Sequence, residues 1–232
     1  YDRISDQFQY RKDMILKELK DSEIRVNEIS AVVGRGGLIR PVESGVYEVN
    51  EAMMKDLKEG WLGEHASNLG GLIAHDIAEN LPNARAFIAD PVVVDEMQDV
   101  ARISGHPNFE RISIFHALNQ KAIARAHGKS IDRNYEDLNL IIAHLGGGIS
   151  VGAHKKGNVI DVNNALDGDG PFSPERSGSL PVGQLARLCF SGQYSYEEVD
   201  KMINVKGGLV AYLNTNDAYE VELMVHEGNE KA

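Results

Sequence analysis

Residues 138–163 constrain the fold more tightly than any other part of the chain. Three short apolar runs, 140–143, 149–154 and 159–163, are separated only by His144-Leu145-Gly146-Gly147-Gly148 and by Lys155-Lys156-Gly157-Asn158. Runs of this kind bounded by turn residues read as strands, and links this short leave adjacent strands no course but antiparallel pairing. The spacing predicts a β-meander that opens a second domain.

The preceding part alternates helix and strand. Phe8, Ile15, Leu16 and Leu19 predict an amphipathic helix over 6–20, and residues 29–33 predict a buried strand ending in the loop Gly34-Arg35-Gly36-Gly37. Residues 38–49 read as an irregular hairpin turning near Glu43-Ser44-Gly45, after which Asn50 is placed to cap a helix. Leu69, Leu72, Ile73, Ile77 and Leu81 form one stripe of a helix over 66–81 that stops before Pro82. A strand at 86–89 runs into Asp90-Pro91, and a helix follows over 117–127. Beyond the meander come a long Gly- and Pro-rich loop at 167–178, a helix near 181–191, and another after Ser195, whose Ser-Tyr-Glu-Glu sequence makes a capping box with Glu198. Helices alternating with strands place the chain in the α/β class, with the domain boundary expected near residues 128–138: a first domain over 1–130 and a second over 131–232.

Composition narrows the function. No apolar run approaches the roughly 20 residues of a membrane span, so no membrane partner is expected. The single Cys189 and the lack of a secretory leader point to the cytoplasm. A net charge of −11 argues against nucleic acid, whose binding needs clustered Lys and Arg. A chain this acidic can handle an anion only by concentrating a few arginines and backbone N–H groups locally.

Candidate residues follow from that requirement. In His144-Leu145-Gly146-Gly147-Gly148-Ile149-Ser150, three glycines leave backbone N–H groups open to a phosphate chain, although a plain hairpin turn has the same appearance. Neither a Walker loop nor a dinucleotide fingerprint is present. Arg35 and Arg176 each lie in a glycine-flanked loop, where a guanidinium fork matches phosphate or carboxylate oxygens, whereas either arginine alone would pass for a solvated one. Asp90 ends a strand, so its carboxylate is expected at a sheet edge, to orient an arginine, hold a metal-bound water or simply turn the chain. His65 and His116 are candidates to donate to phosphoryl oxygens, or are ordinary structural histidines. Glu96, Asp161, Asp167 and Asp169 form no metal-binding pattern, and no metal ligand is assigned. His154, Lys155 and Lys156 read as a solvated turn.

Taken in order, Val33-Gly34-Arg35-Gly36-Gly37, His65-Ala66-Ser67-Asn68, Asp90-Pro91, Phe115-His116, the His144 to Ser150 loop and Glu175-Arg176-Ser177-Gly178 resemble the acetokinase family, the acetate and butyrate kinases. Asp-Gly-Asp-Gly-Pro-Phe-Ser-Pro-Glu-Arg-Ser-Gly and Lys-Gly-Gly-Leu-Val-Ala-Tyr-Leu are closer to the butyrate kinase branch. The resemblance implies the actin-like, sugar-kinase-like ATPase fold (ribonuclease H-like) with two related domains. It also implies transfer of the γ-phosphoryl of ATP to a short fatty acid, with ATP/ADP and Mg²⁺ as cofactors and a homodimer or higher homo-oligomer as the assembly. By the same resemblance, Arg35 and Arg176 hold the substrate carboxylate and the phosphoryl group, and His116 is the transition-state histidine. Asp90 helps hold the reacting groups, His65 lies near the substrate pocket, and His144 with Gly146, Gly147 and Gly148 holds nucleotide phosphates.

Against the family pattern, an opening strand with its Asn/Gly/Ser/Thr phosphate loop is lacking, as are a closing nucleotide-binding segment and a metal-associated glutamate. Both domains are therefore expected to be incomplete, and the chain by itself inactive. Two other readings stand beside the butyrate kinase: a non-catalytic nucleotide-binding or dimerisation module, and an acetate or propionate kinase of the same fold.

Overall fold

The computed structural model describes residues 3–232 and resolves the chain into two units, one running to Glu96 and including Ala117–Ala122, the other Met97–His116 with Ile123–Ala232. The first unit contains α1 (Phe8–Asp21), β1 (Ala31–Gly34), β2 (Val46–Glu48), α2 (Glu51–Glu59), α3 (Asn68–Glu79) and β3 (Arg85–Ala89). Its sheet has the order β1-β3-β2, with β1 parallel and β2 antiparallel to the central strand. The stripe predicted for α3 is buried at Leu69, Leu72, Ile73 and Ile77, and closes over Leu57 of α2 and Ile88 of β3. Burying each such side chain is worth about 1.5–3 kcal/mol relative to exposure. Strand and helix meet at glycines: a Cβ added to Gly34 would lie 3.0 Å from the backbone N of Gly71, and one added to Gly71 2.8 Å from Leu57.

Asn50 caps α2 as expected, its Oδ1 accepting from Met53 N–H at 3.0 Å, and Gly60 ends the helix in the left-handed region. Two expectations fail here. Residues 29–33 are not a buried strand: β1 is a sheet edge, and Val33 is 60% exposed because only the opposite face meets α3. Residues 38–49 do not pair with themselves. Leu38 and Ile39 are core, β2 pairs with β3, and Val42 bridges to Val94, so a nonlocal strand wins over a local hairpin. Within this unit Lys121 is buried beside Glu96, its Nζ donating to both carboxylate oxygens at 2.8 and 2.7 Å.

The second unit holds α4 (Asp99–Arg102), most of α5 (Ala117–Ser130), and a meander of β4 (Asn139–Leu145), β5 (Ile149–Lys155) and β6 (Asn158–Val162). It continues with α6 (Val182–Cys189), α7 (Tyr196–Asn204), α8 (Gly208–Leu213) and α9 (Ala218–His226). The predicted meander is present, in order β4-β5-β6 and antiparallel throughout. Its second turn places Lys156 and Gly157 at positive φ of 49° and 89°, a primed turn whose twist suits paired strands.

Lys155 and Lys156 are exposed, but His154 is not: it is buried, with Tyr135 Oη 2.6 Å from its Nδ1. Strand alternation explains the correction, since His154 shares the buried face of β5 with Ser150 and Gly152. The capping box forms on α7, Ser195 Oγ accepting from Glu198 N–H and Glu198 Oε2 from Ser195 N–H. Among the described residues no helix is long and apolar enough to cross a membrane.

The loop expected at 167–178 is tied down along its length. Asn164 Oδ1 accepts from the N–H groups of Leu166 and Asp167, while the Asp169 carboxylate accepts from those of Asn164 and Gly170. At its far end Ser177 N–H donates to Ile203 O and Gly207 N–H to Glu175 O. The segment before α5 is fastened to the meander in the same way. Arg111 donates to Asp161 at 2.9 Å and to Val162 O at 3.1 Å, and Ala165 N–H donates to Ile114 O at 2.8 Å.

Candidate active site

In the first unit, Gly34 of β1 is in register with Ile88 of β3, so Arg35 and Asp90 leave the C-terminal ends of neighbouring parallel strands. Open α/β sheets bind ligands at such ends. The glycine loop is wedged in place: a Cβ on Gly36 would sit 2.7 Å from Pro91, and one on Gly37 2.6 Å from the Cα of Asn68. Asn68 also accepts Leu38 N–H at 2.9 Å. What remains free is Arg35, whose side chain is exposed and makes no hydrogen bond or ion pair with the described residues.

Asp90 does not emerge at the sheet edge as expected. It is buried at positive φ, and its Oδ1 accepts from Ser44 Oγ at 2.6 Å and Gly45 N–H at 2.9 Å, which closes the turn before β2. His65 is half-buried ahead of α3, its Nδ1 2.8 Å from Ser67 Oγ. It lines a cavity of about 570 Å³ with Phe8, Met54, Leu69, Leu72 and His75, and neither Arg35 nor Asp90 reaches that cavity.

In the second unit the structure brings together His116, His144, the three glycines and Arg176. The rings of His116 and His144 stack, 3.7 Å between centroids and 7° from parallel. Ser150, fully buried and in register with His144, places its Oγ 2.8 Å from His116 Nδ1. A hydrogen bond at one ring nitrogen orients the other. Ser150 closes the glycine motif of the sequence without having been given a role there; strand alternation puts it on the buried face of β5.

Gly146 N–H donates to Gly148 O at 3.2 Å and closes the glycine turn. Ser173, also unforeseen, joins this turn to the long loop: its Oγ donates to Gly147 O at 2.6 Å and accepts Arg176 N–H at 3.1 Å. The Arg176 side chain lies against Gly148. Its Nη1 donates to Ala165 O, its Nε is buried with no hydrogen-bond partner, and no carboxylate of the described residues forms an ion pair with it. Burial pushes the guanidinium pKa down, with neighbouring Glu175 opposing the shift. A half-buried cation that forms no ion pair among the described residues, beside a glycine turn, has the features of an anion site.

The sequence profile of the acetokinase family matches residues 110–232. The chain belongs to that family. It is 61% identical over 229 residues to butyrate kinase 2 of Clostridium acetobutylicum, covering 99% of this chain and 64% of that protein. Identity to butyrate kinase 1 of the same organism is 59% over 231 residues, covering 100% of this chain and 65% of that protein. The chain thus spans slightly less than two thirds of the length of these relatives.

Among solved structures it superimposes on acetate kinase from Porphyromonas gingivalis with a TM-score of 0.78 at 23% identity, over 94% of this chain and 58% of that one. A propionate kinase from Francisella tularensis gives 0.74 at 21% identity, over 94% and 59%. The actin-like α/β fold implied by the sequence resemblance is therefore the fold of this chain.

Proposed function

We propose that the protein transfers the γ-phosphoryl group of ATP to the carboxylate of a short-chain fatty acid, butyrate, forming butyryl phosphate and ADP. A carboxylate oxygen forms the new bond to the γ-phosphorus as the bond to the β,γ-bridging oxygen breaks, and ADP leaves with that electron pair. The acid is already ionised at neutral pH, so no base has to remove a proton. Stabilisation of charge on the equatorial oxygens is then the main task. We assign it to Arg176, Arg35 and His116, with the ring of His116 held by Ser150. His144 and Gly146, Gly147 and Gly148 are assigned to the nucleotide phosphates, His65 to the substrate pocket, and Asp90 to holding the loop at Ser44-Gly45.

The observation that carries this reading is Arg176, a half-buried guanidinium with an unpartnered Nε and no ion pair among the described residues. The identity to two butyrate kinases supports the choice of acid.

Mg²⁺ belongs to the same proposal. Among the described residues no three His, Cys, Asp or Glu side chains cluster to hold a metal ion. Bound to the nucleotide it would neutralise phosphate charge, and no residue of this chain is assigned to it. A homodimer and a cytoplasmic location complete the reading, the latter supported by the single cysteine.

Incubating the full-length protein with ATP, Mg²⁺, hydroxylamine and butyrate, isobutyrate or acetate tests the proposal, since hydroxylamine traps acyl phosphates. Acyl hydroxamate formed preferentially from butyrate, and lost in Arg176→Ala, is the expected result. No hydroxamate from any acid, with nucleotide binding intact, would overturn it in favour of a non-catalytic binding module.

A further inference from the structure

The three glycines at 146–148 are not equivalent. None of them has the positive φ that makes glycine necessary for backbone reasons. Steric room must explain their use, and it differs at each position. A Cβ on Gly147 would meet Glu175 Oε2 at 3.4 Å, an ordinary contact. One on Gly146 would meet the end of the His144 side chain at 2.9 Å. At Gly148, which is buried, a Cβ would overlap the Arg176 guanidinium, lying 2.8 Å from its Cζ, and would press on Ala165 O at 3.2 Å.

The guanidinium has little freedom to withdraw. Arg176 is held at its backbone N–H by Ser173 Oγ, and at Nη1 by Ala165 O. Ser173 in turn holds Gly147 O, so loop, turn and arginine form one hydrogen-bonded assembly.

From this geometry we infer that Gly148 is a positioning residue for Arg176: the missing side chain at 148 is the seat of the guanidinium, rather than an opening for phosphate. The inference rests on the reading that Arg176 stabilises the transferring phosphoryl group. A methyl at 148 shifts that charge away from its seat, and a displacement of about 1 Å from productive geometry can cost on the order of 100-fold in rate. The inference narrows the assignment of the turn to nucleotide phosphates: Gly146 and Gly147 keep that role and Gly148 gives it up.

The test is a mutant cycle in the full-length protein, read by initial rates of butyryl hydroxamate formation and by thermal unfolding without ligands. Gly148→Ala is expected to lower kcat about 100-fold while KM for ATP stays within about 3-fold, the signature of an interaction specific to the transition state. In the Arg176→Ala background the same substitution should cost no further activity, because residues acting as a unit are non-additive. Its effect on the unfolding midpoint should also shrink there, since the overlapped group is gone.

If Gly148→Ala leaves kcat unchanged, or raises KM for ATP with kcat intact, while Arg176→Ala is inactive, the inference fails and the kinase reading stands. If Arg176→Ala retains full activity, the kinase role of that arginine fails first. Should Gly148→Ala not fold, the double variant decides: a folded Gly148→Ala/Arg176→Ala protein supports the seat, and an unfolded one overturns it.

Discussion

Replacing Arg176 with Met should make the ligand-free protein no less stable, and the structure sets the size of the effect. Arg176 buries an Nε–H with no acceptor, which costs about 1–3 kcal/mol for an unsatisfied donor. Against this stands one hydrogen bond from Nη1 to Ala165 O, worth about 1 kcal/mol net. Met keeps most of the aliphatic stem that packs beside Gly148, so little apolar contact is lost. The balance favours Arg176→Met by about 0–2 kcal/mol.

Urea unfolding of the full-length protein and the variant, in buffer free of phosphate and nucleotide, measures it directly. Adding ATP and butyrate should reverse the order: a ligand at 100 times its Kd stabilises by about 2.7 kcal/mol, and the variant should gain less than the parent. A residue kept at the expense of the empty protein is one kept for its ligand. Loss of more than about 0.5 kcal/mol in ligand-free Arg176→Met would refute the reasoning, since the arginine would then be a structural tie like those of the core.

Arg35 differs in kind. It is exposed and makes no hydrogen bond or ion pair with the described residues, so Arg35→Ala should leave the unfolding free energy within about 0.5 kcal/mol of the parent while hydroxamate formation falls about 100-fold or more; retained activity would remove it from the proposed mechanism. Lys121→Ala removes the buried cation facing the Glu96 carboxylate and should cost about 3–5 kcal/mol in urea unfolding, whereas Lys121→Met with Glu96→Leu should be close to neutral. Equal losses in both variants would mean that the pair contributes through packing alone.

The elements set by short-range physics were legible in the chain. Asn50 and the Ser195–Glu198 box act within one helical turn, and both caps form. The apolar stripe of α3 reports which face it must bury, and the short apolar runs between turn residues mark the strands of the meander; both elements are where these signals put them. Glycine-flanked Arg35 and Arg176 stood out because few residue patterns serve an anion in an acidic chain.

Contacts between distant segments were not legible. Whether residues 42–48 pair with each other or with the strand at 85–89 depends on nonlocal register, and β3 won both neighbours. His154 looked like part of a polar turn until β5 acquired a buried face and Tyr135 supplied its partner. Asp90 turned inward because Ser44 and Gly45 offer its carboxylate two donors that solvent cannot hold in place. The stacking of His116 on His144 joins residues 28 positions apart, and Arg176 on Gly148 another 28, through loops whose path no local propensity encodes. The sequence by itself determined which residues have the charge, donors and open backbone that an anion site needs, because these are properties of single residues and short motifs. Tertiary structure alone decided which of them are seated and held and which are left exposed, because burial and hydrogen-bond satisfaction belong to the folded chain as a whole.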